Sequence, residues 1–475
     1  MPSEPVPVRP SGLPFGWDDV VSLLDRSTDA CSSPPGPPFA DVVGDVSRLG
    51  LRPGTPVILS LSNSRRLLEH YFAVLLTGGV PLTVSPATPS ARIAELARRT
   101  AAGAVIGTRA DPARLGASGP ARPAGDASAV LLDTDGAAAG PPYRSGSALL
   151  LTSGTSGMFS VCLHRVDSLL RNASRHAAAV GLRADDTVLV SLPLFYSYAV
   201  VAQALAALVT GARLVISGPP FSPAEYPRLL SRHGISSSSI TPTIARLLLH
   251  RGERLPRGLR MLTVGGDRLA PRHVAGLRAA LPETELYLTY GLTEAGPRVA
   301  TLAAHREPEH RFDSVGLPVP GVGVSLRDVA GGVGELLVHT DTALVAKVGG
   351  PSGGRCLVGP GVVATGDRFR IGEDGYLRFQ GRLSDFVVVR GEKVSLAAVR
   401  EHVQALPGVT GCATSVGTDP DGSAHYTLTV RLDPAVTGGP ADAELLRRSV
   451  LSFLLPAERP RELRIETADP ALFRK

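Results

Sequence analysis

The sequence predicts an α/β protein with a large amino-terminal domain of parallel sheets with flanking helices, followed by a small α+β domain. Three observations lead to this prediction. Short apolar runs alternate with segments of helical spacing from about residue 55. Between residues 314 and 379 the pattern changes to short alternating runs with frequent glycine, and a new strand-and-helix unit begins after Gly381. Strands joined by single helices form right-handed crossovers and parallel sheets that are covered on both faces.

The first alternating elements lie between residues 57 and 108. VILSLS predicts a strand, and RRLLEHYFAVLLTGG predicts a helix that ends at a glycine pair. The runs VPLTVS, ARIAELARRTAA and AVIGT continue the series as strand, helix and strand. The segment from Asp111 to Ser147 is rich in Ala, Gly, Pro and Asp, so we expect a long surface connection there.

The alternation resumes at LLLT, residues 149–152, and continues as far as the strand YLTYG. Helices are predicted at 168–180, 200–210, 243–251 and after Pro271, and strands at VLVSLPL, RLVIS and MLTVGG. The later runs VGVSL, GELLVH and YLRF predict the antiparallel strands of a small β-barrel-like subdomain. We place the domain boundary after residue 381, with 1–381 in the large domain and 382–475 in the small one.

Composition limits the classes of function. Of the 475 residues, 43% are hydrophobic and 19% are charged, which is ordinary for a globular protein. The net charge of +6 is spread along the chain without basic blocks interleaved with aromatics, so nucleic acid is not an expected partner. The four cysteines are far apart, as in a reducing compartment. We expect neither a signal peptide nor a membrane span, and therefore a cytoplasmic protein.

A loop rich in hydroxyl groups and glycine follows the strand at 149–152. It contains Thr152, Ser153, Gly154, Thr155, Ser156 and Gly157. Such a loop presents backbone N–H groups and hydroxyls to an anion because no bulky side chain blocks the approach. It has neither the spacing and lysine of a Walker loop nor the glycine spacing of a nucleophile elbow. On this motif alone, an ordinary polar loop is the favoured interpretation.

Two further motifs follow strands later in the chain. Tyr290 precedes Gly291 and could lie flat against a planar ring, while Glu294 beyond the turn could hold Mg²⁺ on a phosphate. Asp367 could accept hydrogen bonds from a ribose diol, and Arg382 could donate to the same sugar. Taken singly, each motif is better interpreted as an ordinary structural feature, such as a turn with a solvated carboxylate.

Together these segments resemble the adenylate-forming superfamily of acyl-CoA synthetases, nonribosomal-peptide adenylation domains and firefly-type luciferases. The phosphate loop of that superfamily is similar to LLLTSGTSGMFS, its acyl-pocket gate to SLPLFYSY, and its adenine loop to VGGDRLAP. Its adenine-stacking and magnesium-binding motif is similar to LTYGLTEAG. The segment ATGDRFRIGEDGYLRFQGRLSDFVVVRGEKVSLAAVRE resembles the ribose-binding Asp, the hinge and the start of a mobile carboxy-terminal domain. The resemblance covers nearly the whole chain in the family's order.

The resemblance implies ATP and Mg²⁺ as cofactors and a role for each motif. Thr152 to Gly157 would hold the β- and γ-phosphates, Thr293 would contact the α-phosphate, and Glu294 would bind Mg²⁺. Asp367 and Arg382 would hold the ribose, and Ser384 would be the hinge. The residues around the adenine, where Tyr290 would stack, would be Gly265, Gly266, Thr289, Tyr290 and Gly291. The residues lining the acyl pocket would be Phe195, Tyr196, Tyr198, Thr241 and Gly265. The catalytic lysine would be Lys475.

The sequence departs from the family pattern at two places. PALFRK lacks the glycine that usually precedes the catalytic lysine. The phosphate loop normally continues with Pro-Lys, but Phe159 and Ser160 stand there. The missing ammonium removes one cation from the triphosphate site, which weakens ATP binding or pyrophosphate departure unless a neighbouring cation substitutes. His164 and Arg165 are nearby in the sequence.

The implied reaction joins a carboxylic acid to AMP with release of pyrophosphate, followed by acyl transfer to CoA or a carrier-protein thiol. The acceptor is expected to act in trans. Two tyrosines and a phenylalanine in the pocket favour an aromatic or medium-sized acid. Two alternatives stay open. One is a stand-alone amide-bond synthetase of specialised metabolism that uses an amine acceptor. The other is a degenerate nucleotide- or acyl-binding protein without turnover, because Ser160 replaces the phosphate-loop lysine.

Overall fold

The computed structural model describes residues 12–31, 36–108, 110–132, 143–152, 160–218, 221–348, 356–383, 386–404, 406–407, 409–419, 423–432 and 440–467. The helices of these residues are α1 (Trp17–Asp25), α2 (Phe39–Arg48), α3 (Arg65–Leu76), α4 (Ser90–Thr100), α5 (Pro112–Leu115), α6 (Val166–Val180), α7 (Ser197–Ala199), α8 (Ala206–Thr210), α9 (Glu225–Arg232), α10 (Pro242–Arg251), α11 (Pro271–Ala280), α12 (Leu396–Gln404) and α13 (Pro440–Phe453). A π-helical segment, Val200–Leu205, joins α7 to α8.

The strands in the same residues are β1 (Ser27–Asp29), β2 (Pro56–Ser60), β3 (Val80–Thr83), β4 (Ala104–Gly107), β5 (Arg122–Ala124), β6 (Ala127–Leu131), β7 (Ser147–Leu151), β8 (Val161–Arg165), β9 (Thr187–Val190), β10 (Arg213–Ile216), β11 (Ser237–Ile240), β12 (Met261–Gly265), β13 (Glu285–Gly291), β14 (Arg298–Ala303), β15 (Leu317–Pro318), β16 (Val322–Ala330), β17 (Val333–Thr340), β18 (Ala346–Val348), β19 (Leu357–Gly359), β20 (Val362–Ile371), β21 (Leu377–Arg382), β22 (Phe386–Val389), β23 (Glu392–Ser395), β24 (Val409–Thr418), β25 (Ala424–Leu432) and β26 (Glu462–Thr467).

Two eight-stranded sheets form the large amino-terminal part of the fold. Their strand orders are β18-β8-β7-β3-β2-β4-β6-β5 and β1-β10-β9-β11-β12-β13-β14-β15. The central pairs, from β7 through β3 and β2 to β4 and from β1 to β13, are parallel as predicted. Antiparallel strands extend the edges: β8 and β18 beside β7, β6 and β5 beside β4, and β14 and β15 beside β13. The α/β class is therefore confirmed, with mixed rather than wholly parallel sheets.

The expectation of a surface connection over Asp111 to Ser147 was wrong for residues 112–131. This part contains α5, β5 and β6, and β6 pairs antiparallel with β4. Ala129 and Val130 are fully buried in that pairing. Short alanine-rich strands bury little apolar area per residue, so they do not stand out from a polar, glycine-rich background.

A single cluster of buried side chains joins the two sheets. It includes Leu59 and Leu150 from the first sheet and Val190 and Leu214 from the second. Helix α3 lies in this cluster and buries every residue from 67 to 76. The carboxyl end of β7 also pairs with the segment after β9 through a parallel bridge between Leu151 and Tyr196. The two sheets consequently bring their functional loops to one place.

The remaining strands form an antiparallel sheet and a carboxy-terminal α+β unit. Strands β16, β17, β20 and β19 are consecutive neighbours, and β21 pairs with the other part of β20. The last unit has the hairpin β22–β23, the sheet β24-β25-β26 and helices α12 and α13. Its core draws on side chains between Val387 and Leu463. The boundary after residue 381 remains a prediction. In the described part of the chain, no helix has both the length and the apolarity needed to cross a membrane.

Candidate functional site

An open cleft of about 640 Å³ lies beyond the carboxyl ends of β12 and β13. Strand β21 and the loop before β15 close its other side. The lining residues are Val264, Gly266, Asp267, Arg268, Leu269, Leu288, Thr289, Tyr290, Gly291, Phe312, Asp313, Ser314, Val315, Phe379 and Arg382. Five residues predicted from the adenine and ribose motifs therefore border one cavity: Gly266, Thr289, Tyr290, Gly291 and Arg382.

Asp367 is a buried carboxylate beside this cleft, with 2% of its surface exposed. Arg382 is its direct neighbour across the β20–β21 ladder, and Arg382 Nε lies 2.7 Å from Asp367 Oδ1. The hydroxyl of Tyr290 donates to Asp367 Oδ2 at 2.7 Å. The backbone N–H of Asp367 donates to Thr365 Oγ1 at 3.1 Å. Charge pairing and hydrogen bonding thus hold this carboxylate in one orientation.

Neighbouring side chains hold both the ring and the hydroxyl of Tyr290. Its ring packs edge-on against Phe369 with centroids 4.9 Å apart. Burial and the neighbouring Asp367 charge raise the pKa of Tyr290 well above its ordinary value, so the hydroxyl stays a donor. The ring is nine-tenths buried, and the adjacent turn begins at Gly291. A Cβ on Gly291 would lie 2.0 Å from the Pro297 carbonyl oxygen, so only glycine fits there.

Gly265, at the end of β12, is required by close packing. A Cβ at this position would lie 2.3 Å from Thr289 Oγ1 and 3.1 Å from Cε1 of Tyr198. The Tyr198 hydroxyl shares hydrogen bonds with Thr263 Oγ1 at 3.0 Å and Thr289 Oγ1 at 3.4 Å. Gly265 therefore links the predicted acyl-pocket segment to the adenine side of the site.

Arg298 is a buried cation that the sequence analysis missed. Its guanidinium lies over the Tyr198 ring, 4.1 Å from the centroid, and donates to Thr289 Oγ1 at 2.8 Å. It is 3% exposed. A cation over an aromatic face is attracted by the ring quadrupole, so Arg298 fixes the orientation of Tyr198. Its position in the sequence, after the Gly-Pro pair at 296–297, carried no signal of this role.

The other residues predicted to line the acyl pocket are Phe195, Tyr196 and Thr241. Phe195 and Tyr196 have ring centroids 4.8 Å apart, and Phe195 is buried. Thr241 is the N-cap of α10, where its Oγ1 accepts from the backbone N–H of Ile244 at 3.4 Å. Ser197 shares a 2.8 Å hydrogen bond with Thr293, which ties the acyl segment to the predicted magnesium motif.

The base of the predicted phosphate loop is closed by backbone pairing. Thr152 donates from its backbone N–H to the Ser160 carbonyl oxygen at 3.1 Å, and from its hydroxyl to the same oxygen at 3.2 Å. Ser160 is buried. The loop residues Ser153, Gly154, Thr155, Ser156 and Gly157 lie outside the described residues, as do the predicted hinge Ser384 and the predicted catalytic Lys475.

Glu294 is paired with Lys347, a residue that the sequence analysis also missed. Lys347 Nζ lies 2.9 Å from Glu294 Oε1, and both side chains are largely buried. Burial lowers the pKa of Lys347, but the Glu294 charge outweighs it, so the pKa is raised and the ammonium stays charged. Lys347 lies on β18, directly opposite Cys162 on β8. It is therefore next to the strand that follows the phosphate loop.

His164 and Arg165 are the neighbours considered as substitutes for the missing phosphate-loop lysine. Neither supplies a cation beside Ser160. His164 is fully buried, and burial lowers its pKa to about 4, so it is neutral near pH 7. Arg165 lies at the far end of β8, where it donates to the Ser145 carbonyl oxygen at 3.2 Å. In the described residues, no group of three or more His, Cys, Asp or Glu side chains could hold a metal by itself.

The carboxy-terminal hairpin lies against the acyl-pocket segment. The Tyr196 hydroxyl donates to Glu392 Oε2 at 3.3 Å, and partial burial raises the pKa of Glu392. A Cβ on Gly391 would lie 3.4 Å from Thr243 Cβ. A second contact between the two parts is the ion pair of Arg92 on α4 with Glu458. The hairpin thus lies against the segment that is predicted to line the acyl pocket.

Comparison with known families identifies the class of protein. The AMP-binding enzyme family matches residues 46–347, so this chain belongs to the AMP-binding enzymes. Family membership supports an acid-activating ligase activity that forms an adenylate. It does not by itself identify the acid or the acceptor.

Individual relatives differ in their acceptors. The salicyl-AMP ligase / salicyl-S-ArCP synthetase of Mycobacterium tuberculosis is 28% identical over 399 residues, which cover 77% of this chain and 70% of that protein. A long-chain-fatty-acid–CoA ligase of Yersinia pestis is 30% identical over 302 residues, 61% of this chain and 53% of that protein. The structure of the amide bond synthetase McbA from Marinactinospora thermotolerans is similar with a TM-score of 0.75 and 22% identity, covering 95% of this chain and 97% of McbA. At that identity, the similarity to McbA shows a shared fold.

Proposed function

We propose that the protein uses ATP to activate a carboxylic acid as an acyl-adenylate, and then transfers the acyl group to CoA or a carrier-protein thiol. A carboxylate oxygen attacks the α-phosphorus of ATP, and the bond to the pyrophosphate oxygen breaks. In the second step the thiol sulfur attacks the acyl carbonyl carbon and AMP leaves. The acid is already ionised at neutral pH, so the first step needs no general base.

The observation that carries this proposal is the buried Asp367 carboxylate, held by Tyr290 and Arg382 at the edge of the cleft. A carboxylate has about four lone-pair positions. Held by Tyr290 and Arg382, this carboxylate would accept hydrogen bonds from the hydroxyls of a ribose. The Tyr290 ring and the side-chain-free surface of Gly266 suit a planar base beside that ribose.

Oxygen donors that suit Mg²⁺ lie at the phosphate end of the site. Glu294 and Thr293 are adjacent and buried, and Glu294 already accepts from the ammonium of Lys347, so this carboxylate binds a cation. Mg²⁺ is commonly held by one or two carboxylates together with substrate phosphates, and these residues fit such an ion. When bound, Mg²⁺ would neutralise charge on the phosphates. Thr293 would contact the α-phosphate.

Positioning accounts for most of the rate in this mechanism. An anionic carboxylate must approach a polyanionic phosphate chain, so fixed cations at the α-phosphate lower the barrier. Lys475 would supply one of them from the carboxy-terminal domain. Closure of that domain, with Ser384 as the hinge, would exclude water from the hydrolysable adenylate.

The contact between Glu392 and Tyr196 supports a second step that uses a different arrangement of the small domain. Because Glu392 contacts Tyr196 and Gly391 lies near Thr243, these hairpin residues would border the acyl group in the second step. Lys393 follows in the same strand. The acceptor would reach the adenylate past this hairpin. The mycobacterial relative, a salicyl-S-ArCP synthetase, supports a thiol acceptor.

Pyrophosphate release from ATP across a panel of aromatic, medium-chain and long-chain acids tests the first step. We expect release that depends on one class of acid and on ATP. Mass analysis of the products with CoA, a phosphopantetheinylated carrier protein or simple amines then identifies the acceptor. A thioester product is the expected result, and an amide product would reassign the second step. Nucleotide binding without pyrophosphate release from any acid would indicate a protein that has lost turnover.

A further inference from the structure

Lysine is rare in this chain. Among the 49 lysines and arginines only three are lysines, Lys347, Lys393 and Lys475. Ordinary ion pairs use arginine, as in the pair of Arg260 with Asp186. Two of the lysines have positions in the proposed mechanism, on the hairpin and at the carboxyl terminus. Lys347 has no role so far, although it contacts the proposed magnesium ligand.

The register of β18 brings Lys347 close to Ser160, the residue that stands where the family has its phosphate-loop lysine. Lys347 pairs directly with Cys162 in the antiparallel β18–β8 ladder. Residues directly opposite each other share a face of the sheet, and so do alternate residues along a strand. The hydrogen bond between Thr152 and Ser160 extends the β7–β8 ladder by one residue pair. Ser160 and Cys162 are two residues apart in this ladder, so they lie on the same face of the sheet. Lys347 therefore stands diagonally across from Ser160, and long side chains reach across such a diagonal.

We propose that Lys347 is the phosphate-binding lysine of this protein, supplying to the β- and γ-phosphates of ATP the ammonium that Ser160 does not. This inference rests on the proposed ATP-dependent function. In the structure the ammonium pairs with Glu294, which also neutralises the carboxylate. Lys347 would donate to phosphate oxygens of bound ATP, and Glu294 would then be able to hold Mg²⁺.

A compact ammonium suits this position better than a guanidinium. Lysine is a point charge on a flexible stem, whereas arginine is a rigid planar fork. Nζ can therefore turn between Glu294 and a phosphate without moving β18. Since the chain uses arginine almost everywhere else, a lysine here is in keeping with that requirement.

Nucleotide binding to the full-length protein tests the inference without relying on turnover. Calorimetry measures the Kd of a β,γ-methylene ATP analogue with Mg²⁺ and the Kd of AMP. For Lys347→Gln we expect the analogue to bind about tenfold more weakly or worse, because a charge-assisted hydrogen bond is lost. AMP, which lacks the β- and γ-phosphates, should keep its Kd within about twofold. The double variant S160K/K347Q should recover most of the analogue affinity, because it restores an ammonium at the loop.

Arg260→Gln is the matched control, since it breaks a partly buried ion pair at the start of β12, away from the phosphate end. It should change neither Kd. If Lys347→Gln does not fold, Glu294→Gln and E294Q/K347Q are compared, and the double variant should bind the analogue more weakly than the single one. Equal loss of AMP and analogue binding, or no loss of either, would overturn the role of Lys347. A wild-type protein that binds the analogue but releases no pyrophosphate would contradict the proposed catalysis alone. A wild type that binds no nucleotide would contradict both.

Discussion

Asp367 and Arg382 are direct neighbours across the β20–β21 ladder, with Arg382 Nε 2.7 Å from Asp367 Oδ1. The Tyr290 hydroxyl binds the other oxygen of the same carboxylate from the end of a different sheet. This connection joins the predicted adenine motif, which contains Tyr290, to the predicted ribose motif, which contains Asp367 and Arg382. It also makes the carboxylate both a structural element and the proposed ribose ligand.

Substitution of Asp367 tests both aspects. Asp367→Asn should raise the KM for ATP about tenfold or more and lower the free energy of unfolding by about 3 kcal/mol, because Arg382 loses its charged partner. Pyrophosphate release and urea unfolding measure the two effects. Asp313→Asn is the control, since Asp313 lines the same cleft but is 41% exposed. Equal effects of the two substitutions would contradict a specific role for Asp367.

The packing at Gly265 predicts a second outcome. Gly265→Ala places a methyl group 2.3 Å from Thr289 Oγ1, and overpacking of this kind lowers the free energy of unfolding by about 1–3 kcal/mol. The same variant should lower kcat/KM most for the bulkiest acids, because Tyr198 must move into the pocket. Gly276→Ala in α11 meets only ordinary contacts at 3.5 Å and should be neutral or stabilising. An unchanged acid profile in Gly265→Ala would argue against a pocket at Tyr198.

The buried His164 predicts how stability depends on pH. Its pKa is lowered from 6.5 to about 4 by burial, so below pH 6.5 only the unfolded state takes up a proton there. The contribution of this histidine to stability is therefore complete above pH 6.5 and decreases as the pH falls toward 4. Between about pH 7 and about pH 5 the stability of the wild type should fall by about 2 kcal/mol more than that of His164→Gln.

Urea unfolding of both proteins at a series of pH values measures this difference. His176 is also buried, with its pKa lowered to about 3, and contributes equally to wild type and variant. The comparison therefore isolates His164. Parallel stability curves for the two proteins would mean that His164 titrates normally in the folded state, and His164 would again be a candidate cation.

The hairpin contact predicts a separation of the two reaction steps. Glu392→Gln should leave acid-dependent adenylate formation within about threefold and slow acyl transfer about tenfold or more, because Glu392 contacts Tyr196 only when the hairpin is against the pocket. Single-turnover measurements of adenylate formation and decay distinguish the steps. The exposed Glu444→Gln on α13 is a control in the same unit. Slowing of adenylate formation alone would contradict a second-step role.

The parts of the fold that the sequence predicted are those with strong local patterns. The runs that became β2, β12 and β13 are mostly apolar, and each is followed by a loop with glycine or hydroxyl groups. The strand β11 was missed because its residues are mostly serine. These serines are buried, and two of them pair with other hydroxyls: Ser239 with Thr263 of β12 and Ser238 with Tyr226 of α9, each at 2.8 Å. Hydrogen bonds to neighbouring elements satisfy such buried hydroxyls, and no local hydropathy pattern reports them.

The residues of the candidate site also divide into those that a local sequence motif predicts and those that only tertiary pairing positions. Asp367, Arg382 and Tyr290 were predicted because each lies in a motif with defined neighbours. Lys347 was missed because its three-residue strand β18 joins β8, which lies far away in the sequence. Such pairing depends on the tertiary arrangement of sheets, and a single lysine in a glycine-containing segment predicts nothing by itself. The rarity of lysine in the chain was the one available signal.

Isotope exchange tests the central claim most directly, namely that this cleft joins a carboxylic acid to AMP. Labelled pyrophosphate is incubated with the protein, ATP, Mg²⁺ and the acid selected by the pyrophosphate-release panel, without any acceptor. Reversible adenylate formation predicts that label enters ATP only when the acid is present, and that Asp367→Asn greatly slows the exchange. Exchange that is independent of the acid, or absent from a protein that binds ATP, would contradict the account.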